Sequence, residues 1–217
     1  MVAVVVLARA HAADPAPRPA PPLFVSQSAG VIAVIPPGLT YCPLPATWTG
    51  SDHGTEVYLT PPARCGVPRT YASSSRLSGS FAPAVAIFYG RNVAFVPRSG
   101  RDDSPPETNA ELAGLVCGDD DTPLPPGITL LGAPAAGCRV DEDGGVDFRA
   151  TAVYAAAAAP GARPDRILIV SLDTTPDRVA SDLPVFRRIA GGIQVCGPPA
   201  EGAGARRERC PAGVDWW

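Results

Sequence analysis

Outside its first dozen residues the chain has one histidine, His53, in the run Trp48-Thr49-Gly50-Ser51-Asp52-His53-Gly54. An imidazole flanked by a carboxylate and a hydroxyl has the residue types of a base, its orienting group and a nucleophile. The spacing does not preassemble them. Neighbours on a strand point to opposite faces, so Asp52 orients His53 only if the chain turns between them. Ser51 and the later Ser73, Ser74 and Ser75 are the available hydroxyls, and no G-x-S-x-G elbow accompanies them. The simpler reading is a polar turn leading into a strand, or a binding surface. A second polar stretch, Tyr71-Ala72-Ser73-Ser74-Ser75-Arg76, sets a guanidinium among hydroxyls, which suits a carboxylate or a sugar. The candidate binding residues are therefore Trp48, Ser51, Asp52, His53, Tyr71, Ser74 and Arg76. His53, Asp52 and Ser51 form the catalytic alternative, a hydrolase.

Two acidic runs, Asp119-Asp120-Asp121 and Asp141 to Asp147, invite a calcium reading. The second lacks the ligand spacing and closing glutamate of an EF-hand loop, so both read as solvated turns. No metal or other cofactor is expected. The formal charge is -3 with acids and bases interspersed. The basic pairs Arg187-Arg188 and Arg206-Arg207 are too short to track a phosphate backbone, so no nucleic-acid partner is expected.

The elements that position these groups depend on the compartment. Val2 to Ala8 is an apolar run, and Ala10-His11-Ala12 fits the small-x-small cleavage rule of a secretory leader. The expected organisation is a signal peptide over 1–12, cut short at its charged end, then a proline-rich arm over 13–22 that is extended and unpacked. A first module over 23–118, a second over 119–197 and a tail over 198–217 follow. No later stretch is long and apolar enough to span a bilayer.

Six cysteines, Cys42, Cys65, Cys117, Cys138, Cys196 and Cys210, are widely spaced and contain no C-x-x-C pair. Zinc is disfavoured by that spacing and disulfides are favoured in an exported chain. The favoured scheme pairs Cys138 with Cys196 and Cys117 with Cys42 or Cys65, leaving the remaining cysteine for Cys210. Its rival is sequential: 42 with 65, 117 with 138, 196 with 210.

An internal repeat supplies the module boundaries. Ile35-Pro36-Pro37-Gly38-Leu39-Thr40 recurs as Leu124-Pro125-Pro126-Gly127-Ile128-Thr129. Val85 to Phe88 matches Ile167 to Val170, and each copy ends in Ala-Gly followed by Val-Cys-Gly, at Cys117 and Cys196. In the first copy strands are expected at Val31 to Ile35 (buried on both faces), Val57 to Thr60, Ala84 to Tyr89 and Val93 to Val96. The last two flank a turn at Gly90-Arg91-Asn92. Thr108 with Glu111 predicts a capping box opening a helix through Val116. In the second copy, strands are expected at Ile128 to Leu131, Val146 to Ala152 and Arg166 to Leu172, and a helix at Leu183 to Ala190.

The predicted fold is α+β: two related modules of mainly antiparallel strands, each followed by a short helix and stapled by disulfides. The predicted protein is an exported bacterial one, periplasmic or secreted. It is a non-enzymatic binding protein of inhibitor or immunity type whose partner is another envelope or secreted protein. A structural envelope protein is the further alternative.

Overall fold

The fold is taken from a computed structural model, which describes residues 18–19, 23–26, 29–43, 53–60, 82–91, 104–142, 144–155 and 162–196. Strands β1 (Arg18–Pro19), β2 (Leu23–Ser26), β3 (Val31–Val34), β4 (Thr40–Pro43), β5 (His53–Tyr58) and β6 (Ala84–Arg91) precede helix α1 (Asn109–Val116). There follow β7 (Thr122–Pro123), β8 (Thr129–Leu130), β9 (Ala133–Pro134), β10 (Ala136–Glu142), β11 (Gly145–Tyr154) and β12 (Arg166–Thr174). Helix α2 (Val179–Gly191) and β13 (Ile193–Val195) complete the order. The expected α+β class with antiparallel strands is what forms.

Eight strands make one sheet in the order β1-β4-β5-β6-β12-β11-β10-β7, antiparallel throughout. Its long central strands are rich in Val, Ile, Leu and Phe, side chains that pack well on a pleated surface. Both edges end in a two-residue strand closed by a proline, Pro19 and Pro123. Proline has no N–H to offer a further strand, so both edges are blunted against chain-to-chain pairing. The arm expected to stay unpacked thus contributes an edge, with Arg18 and Pro19 opposite Tyr41 and Thr40.

The two faces carry different layers. Ile87, Tyr89, Leu168, Val170, Phe148 and Ala150 pack on one face against Phe186 and Ile189 of α2 and against Phe24, Ala33 and Ile193. The latter three belong to a small sheet of order β13-β3-β2. Tyr154 donates from its hydroxyl to the Ala29 carbonyl at 3.0 Å, tying the two sheets together. On the other face α1 buries Leu112 against Ile167 and Ile169, with Phe88, Val116 and Val153 around them. Fully burying one such leucine stabilises the fold by roughly 1.5–3 kcal/mol.

Helix α1 is fastened at both ends. Thr108 accepts from the Glu111 N–H at 3.1 Å and Glu111 accepts from the Thr108 N–H at 3.1 Å, the capping box expected from sequence. Asn109 Oδ1 accepts from the Val153 N–H at 2.8 Å, and Thr151 Oγ1 donates to the Asn109 carbonyl. At the other end Arg149 Nη1 donates to the Val116 carbonyl at 2.6 Å, and Cys117 is bonded to Cys138 of β10. Helix α2 is joined to β12 through the buried Asp182. Its carboxylate accepts from Thr174 Oγ1 at 2.6 Å, and from Arg178 Nε and Nη2 at 3.1 Å each. Pairing and hydrogen bonding of this kind are what let a carboxylate sit away from water.

Several expectations are corrected. Cys138 bonds Cys117 rather than Cys196. Cys138 lies on the α1 side of the large sheet, whereas Cys196 follows β13 beside the small sheet, its N–H bonded to the Gly30 carbonyl at 2.7 Å. Gly90 and Arg91 continue β6 opposite Ile167 and Arg166 instead of turning. Strand β3 is buried on one face only: Val31 and Ala33 are covered and Val34 is exposed, because the small sheet has nothing of the large sheet on its outer side. The acidic run from Asp141 is a hairpin, with Glu142 opposite Gly145, and its last carboxylate, Asp147, is buried rather than solvated.

The two Pro-Pro-Gly segments adopt the same turn. Gly38 has φ +85 and Gly127 φ +83, and each preceding proline sits where a type II turn favours it. The chain re-enters a strand at Thr40 and at Thr129. Beyond those turns the repeat landmarks diverge in setting. Ile87 faces the α2 layer and Ile169 the α1 layer.

Candidate functional site

Alternation along the strands separates two chemistries on the α1 face. Under the helix it is apolar. Beyond the helix lie two adjacent rows of largely polar residues. One row runs Cys42, Glu56, Ala86, Ser171, Arg149, Cys138 across β4, β5, β6, β12, β11 and β10. The next runs Thr40, Tyr58, Ala84, Asp173, Asp147, Val140. The first row begins and ends in a disulfide-bonded cysteine.

The belt is polar and closed. Glu56 is 5% exposed, Asp173 5%, Asp147 1% and Ser171 7%. Tyr58 donates its hydroxyl to Glu56 Oε2 across one pleat. Arg149 Nε donates to Asp147 Oδ2 at 2.8 Å, so one guanidinium holds the carboxylate and the last carbonyl of α1 together. Asp147 and Asp173 are direct cross-strand partners. Like charges so placed repel, and Arg149 offsets that of Asp147. Ala84 and Ala86 keep the centre of the belt low.

Three carboxylates, a phenol and a serine within two rows are the groups of acid–base chemistry. They lie in the interior of the fold, and Arg149 links the belt to the last turn of α1. The sequence signal for it is the alternation Val146-Asp147-Phe148-Arg149-Ala150-Thr151 and Val170-Ser171-Leu172-Asp173.

Of the residues expected to carry chemistry, Trp48, Ser51, Asp52, Tyr71, Ser74 and Arg76 lie outside the described residues. So do the signal segment and the tail, and Cys65 and Cys210. The backbone of His53 opens β5 opposite Tyr89. That row continues through Leu168 and Ala152, all apolar, with no serine or carboxylate. Cys117, Cys138 and Asp121 lie close enough to suggest a metal site, but the disulfide consumes both thiolates that a soft cation would need. Asp121 instead accepts from the Gly118 N–H at 2.7 Å and closes the turn after α1. No cysteine among the described residues is free. No helix among them is long and apolar enough to cross a membrane.

The chain matches no protein-family model, and no curated protein is significantly similar to it.

Proposed function

We propose that the chain is an exported, disulfide-stapled binding protein of the periplasm or extracellular space, of inhibitor or immunity type. The single observation behind this reading is the oxidation state of its sulfur. Cys42, Cys117, Cys138 and Cys196 are all disulfide-bonded, and such bonds persist in oxidising compartments. The apolar run and Ala-His-Ala of residues 1–12 supply the matching export signal. The partner is another envelope or secreted protein, met by the first module through Trp48, Ser51, Asp52, His53, Tyr71, Ser74 and Arg76.

The hydrolase alternative needs His53, Asp52 and a serine to converge; Asp52 and the candidate serines lie outside the described residues. The shared Pro-Pro-Gly turn and the mirrored strand order β4-β5-β6 against β12-β11-β10 favour an origin by duplication.

The test is expression of the full chain in a bacterium with a periplasm, followed by fractionation, N-terminal mass analysis and affinity capture from envelope extract. The expected product lacks residues 1–12, resides outside the cytoplasm and captures a partner that His53→Ala or Trp48→Ala releases. A cytoplasmic product with free thiols overturns the reading. Export without any stable partner favours a structural envelope protein instead.

A further inference from the structure

The Cys117–Cys138 bond has a third neighbour. Among the described residues, Cys117, Asp121 and Cys138 each offer one ligand atom, and these atoms all lie within 4.8 Å of one another. Local structure holds all three in place. Cys117 caps α1, its N–H bonded to the Ala113 carbonyl at 2.9 Å. Cys138 is fixed within β10, opposite Pro123 on one side and Arg149 on the other. Asp121 is set by the turn after α1. Its carboxylate accepts from the Gly118 N–H at 2.7 Å, and its own N–H is bonded to the Gly118 carbonyl at 3.2 Å. The first of these bonds engages one carboxylate oxygen and fixes the direction of the other, as outer partners do for carboxylates that bind metals.

In the oxidised chain the two sulfurs are spent on each other, and reduction returns them as ligands. A dithiol reductant passes two electrons and two protons to the S–S bond, leaving two thiols and closing its own disulfide. The Cα atoms stand 6.0 Å apart. Two thiolates on a tetrahedral zinc ion, each at about 2.3 Å, lie roughly 3.8 Å from one another. Side-chain rotation at that backbone distance opens the gap. Arg149, the cross-strand partner of Cys138, carries a positive charge that favours a thiolate beside it. The carbonyl end of α1 favours a cation. Cys117 and Asp121 are half-buried, which gives reductant and ion a side to enter from.

We propose that the reduced chain binds a zinc ion between the sulfurs of Cys117 and Cys138 and the carboxylate of Asp121, with a fourth position open to water. Two sulfurs and one oxygen suit zinc, whereas calcium and magnesium take oxygen throughout. Binding releases the two thiol protons. The staple between α1 and β10 thus has two forms, a disulfide when oxidised and a metal bridge when reduced. The site does not depend on the binding role proposed above.

The experiment uses the full chain, reduced by a phosphine that leaves as its oxide with oxygen taken from water. Zinc is added, and alkylation of each cysteine by iodoacetamide is followed by peptide mass mapping. Zinc is expected to slow alkylation of Cys117 and Cys138 by at least about tenfold, a factor that even outer partners of a bound metal typically contribute to affinity. That protection should vanish in urea and in Asp121→Asn. Cobalt added to the reduced chain should give thiolate-to-cobalt charge-transfer absorption. Cys117→Ser with Cys138→Ser should lower it by one equivalent, although Cys42, Cys65, Cys196 and Cys210 remain. Failure of zinc to protect the pair overturns the site. Protection that persists in urea or in Asp121→Asn overturns it equally, because the folded arrangement and the carboxylate would then play no part.

Discussion

Asn109 and Val153 meet across the end of a strand: the Asn109 side-chain oxygen accepts the Val153 N–H at 2.8 Å, beyond the last residue pair of β10, Ala136 with Thr151. Strand β11 outruns its neighbour, and the first residue of α1 supplies the missing acceptor. Asn109→Ala leaves that partly buried N–H without it and is expected to lower stability by roughly 1–3 kcal/mol. Asn109→Asp keeps an acceptor and is expected to cost less. Urea unfolding with the disulfides intact separates the two, and equal losses would mean that the bond contributes nothing.

Gly137 sits on β10 opposite Ala150 with φ +143, and a Cβ there would lie 1.8 Å from the Arg149 carbonyl oxygen. That contact is backbone on both sides, so nothing flexible can yield. Gly137→Ala is expected to cost more than about 4 kcal/mol, in the range reserved for strained backbone and broken packing. Gly38→Ala is the control. Its φ is +85 but nothing stands within 4 Å of a new Cβ, so the loss should stay near 1–2 kcal/mol, the penalty of the left-handed region alone. Thermal melts of both variants check the contrast.

These glycines mark where local sequence stops being informative. Thr108 and Glu111 announce α1 because a capping box is complete within four residues. Strands β11 and β12 are legible from their own β-branched and aromatic content. Strand β10, Ala136-Gly-Cys-Arg-Val-Asp-Glu, has no such signature and is a strand because β11 pairs with it along its whole length. The polar belt was hidden for a related reason. Asp147 reads as the end of an acidic turn until its alternation with Phe148 and Ala150 is followed, and Glu56 gains meaning only when Arg149 and Asp173 are known to share its face. Which strand neighbours which depends on contacts far apart in sequence, and the β6–β12 seam has no local signal at all.

The Cys117–Cys138 bond closes a separation of 21 residues and is one of the three bonds in the sequential scheme. Peptide mapping of the non-reduced chain is expected to return Cys42 with Cys65 and Cys196 with Cys210 beside it. A Cys42 peptide linked to Cys210 would refute that scheme. Cys117→Ser with Cys138→Ser removes the loop constraint and is expected to cost about 3 kcal/mol. It should also raise amide exchange in α1 before the large sheet is affected, because the helix then loses its one covalent tie to β10 among the described residues.

Arg149 is the position where the belt and α1 depend on each other. Its side chain is 19% exposed and that of Asp147 1%, so the pair is largely removed from solvent screening. Arg149→Met keeps the aliphatic stem but strips the charge from beside Asp147 and the donor from the Val116 carbonyl. Breaking a buried pair by removing one partner typically costs about 3–5 kcal/mol. Asp147→Asn in the same chain removes the carboxylate charge that Arg149 faced. The double variant is therefore expected to recover at least about 1 kcal/mol of the loss, a coupling of the size seen between contacting residues. A double-mutant cycle by urea unfolding measures it. Strict additivity would show that Arg149 acts through α1 alone and that the carboxylates of the belt do not need it.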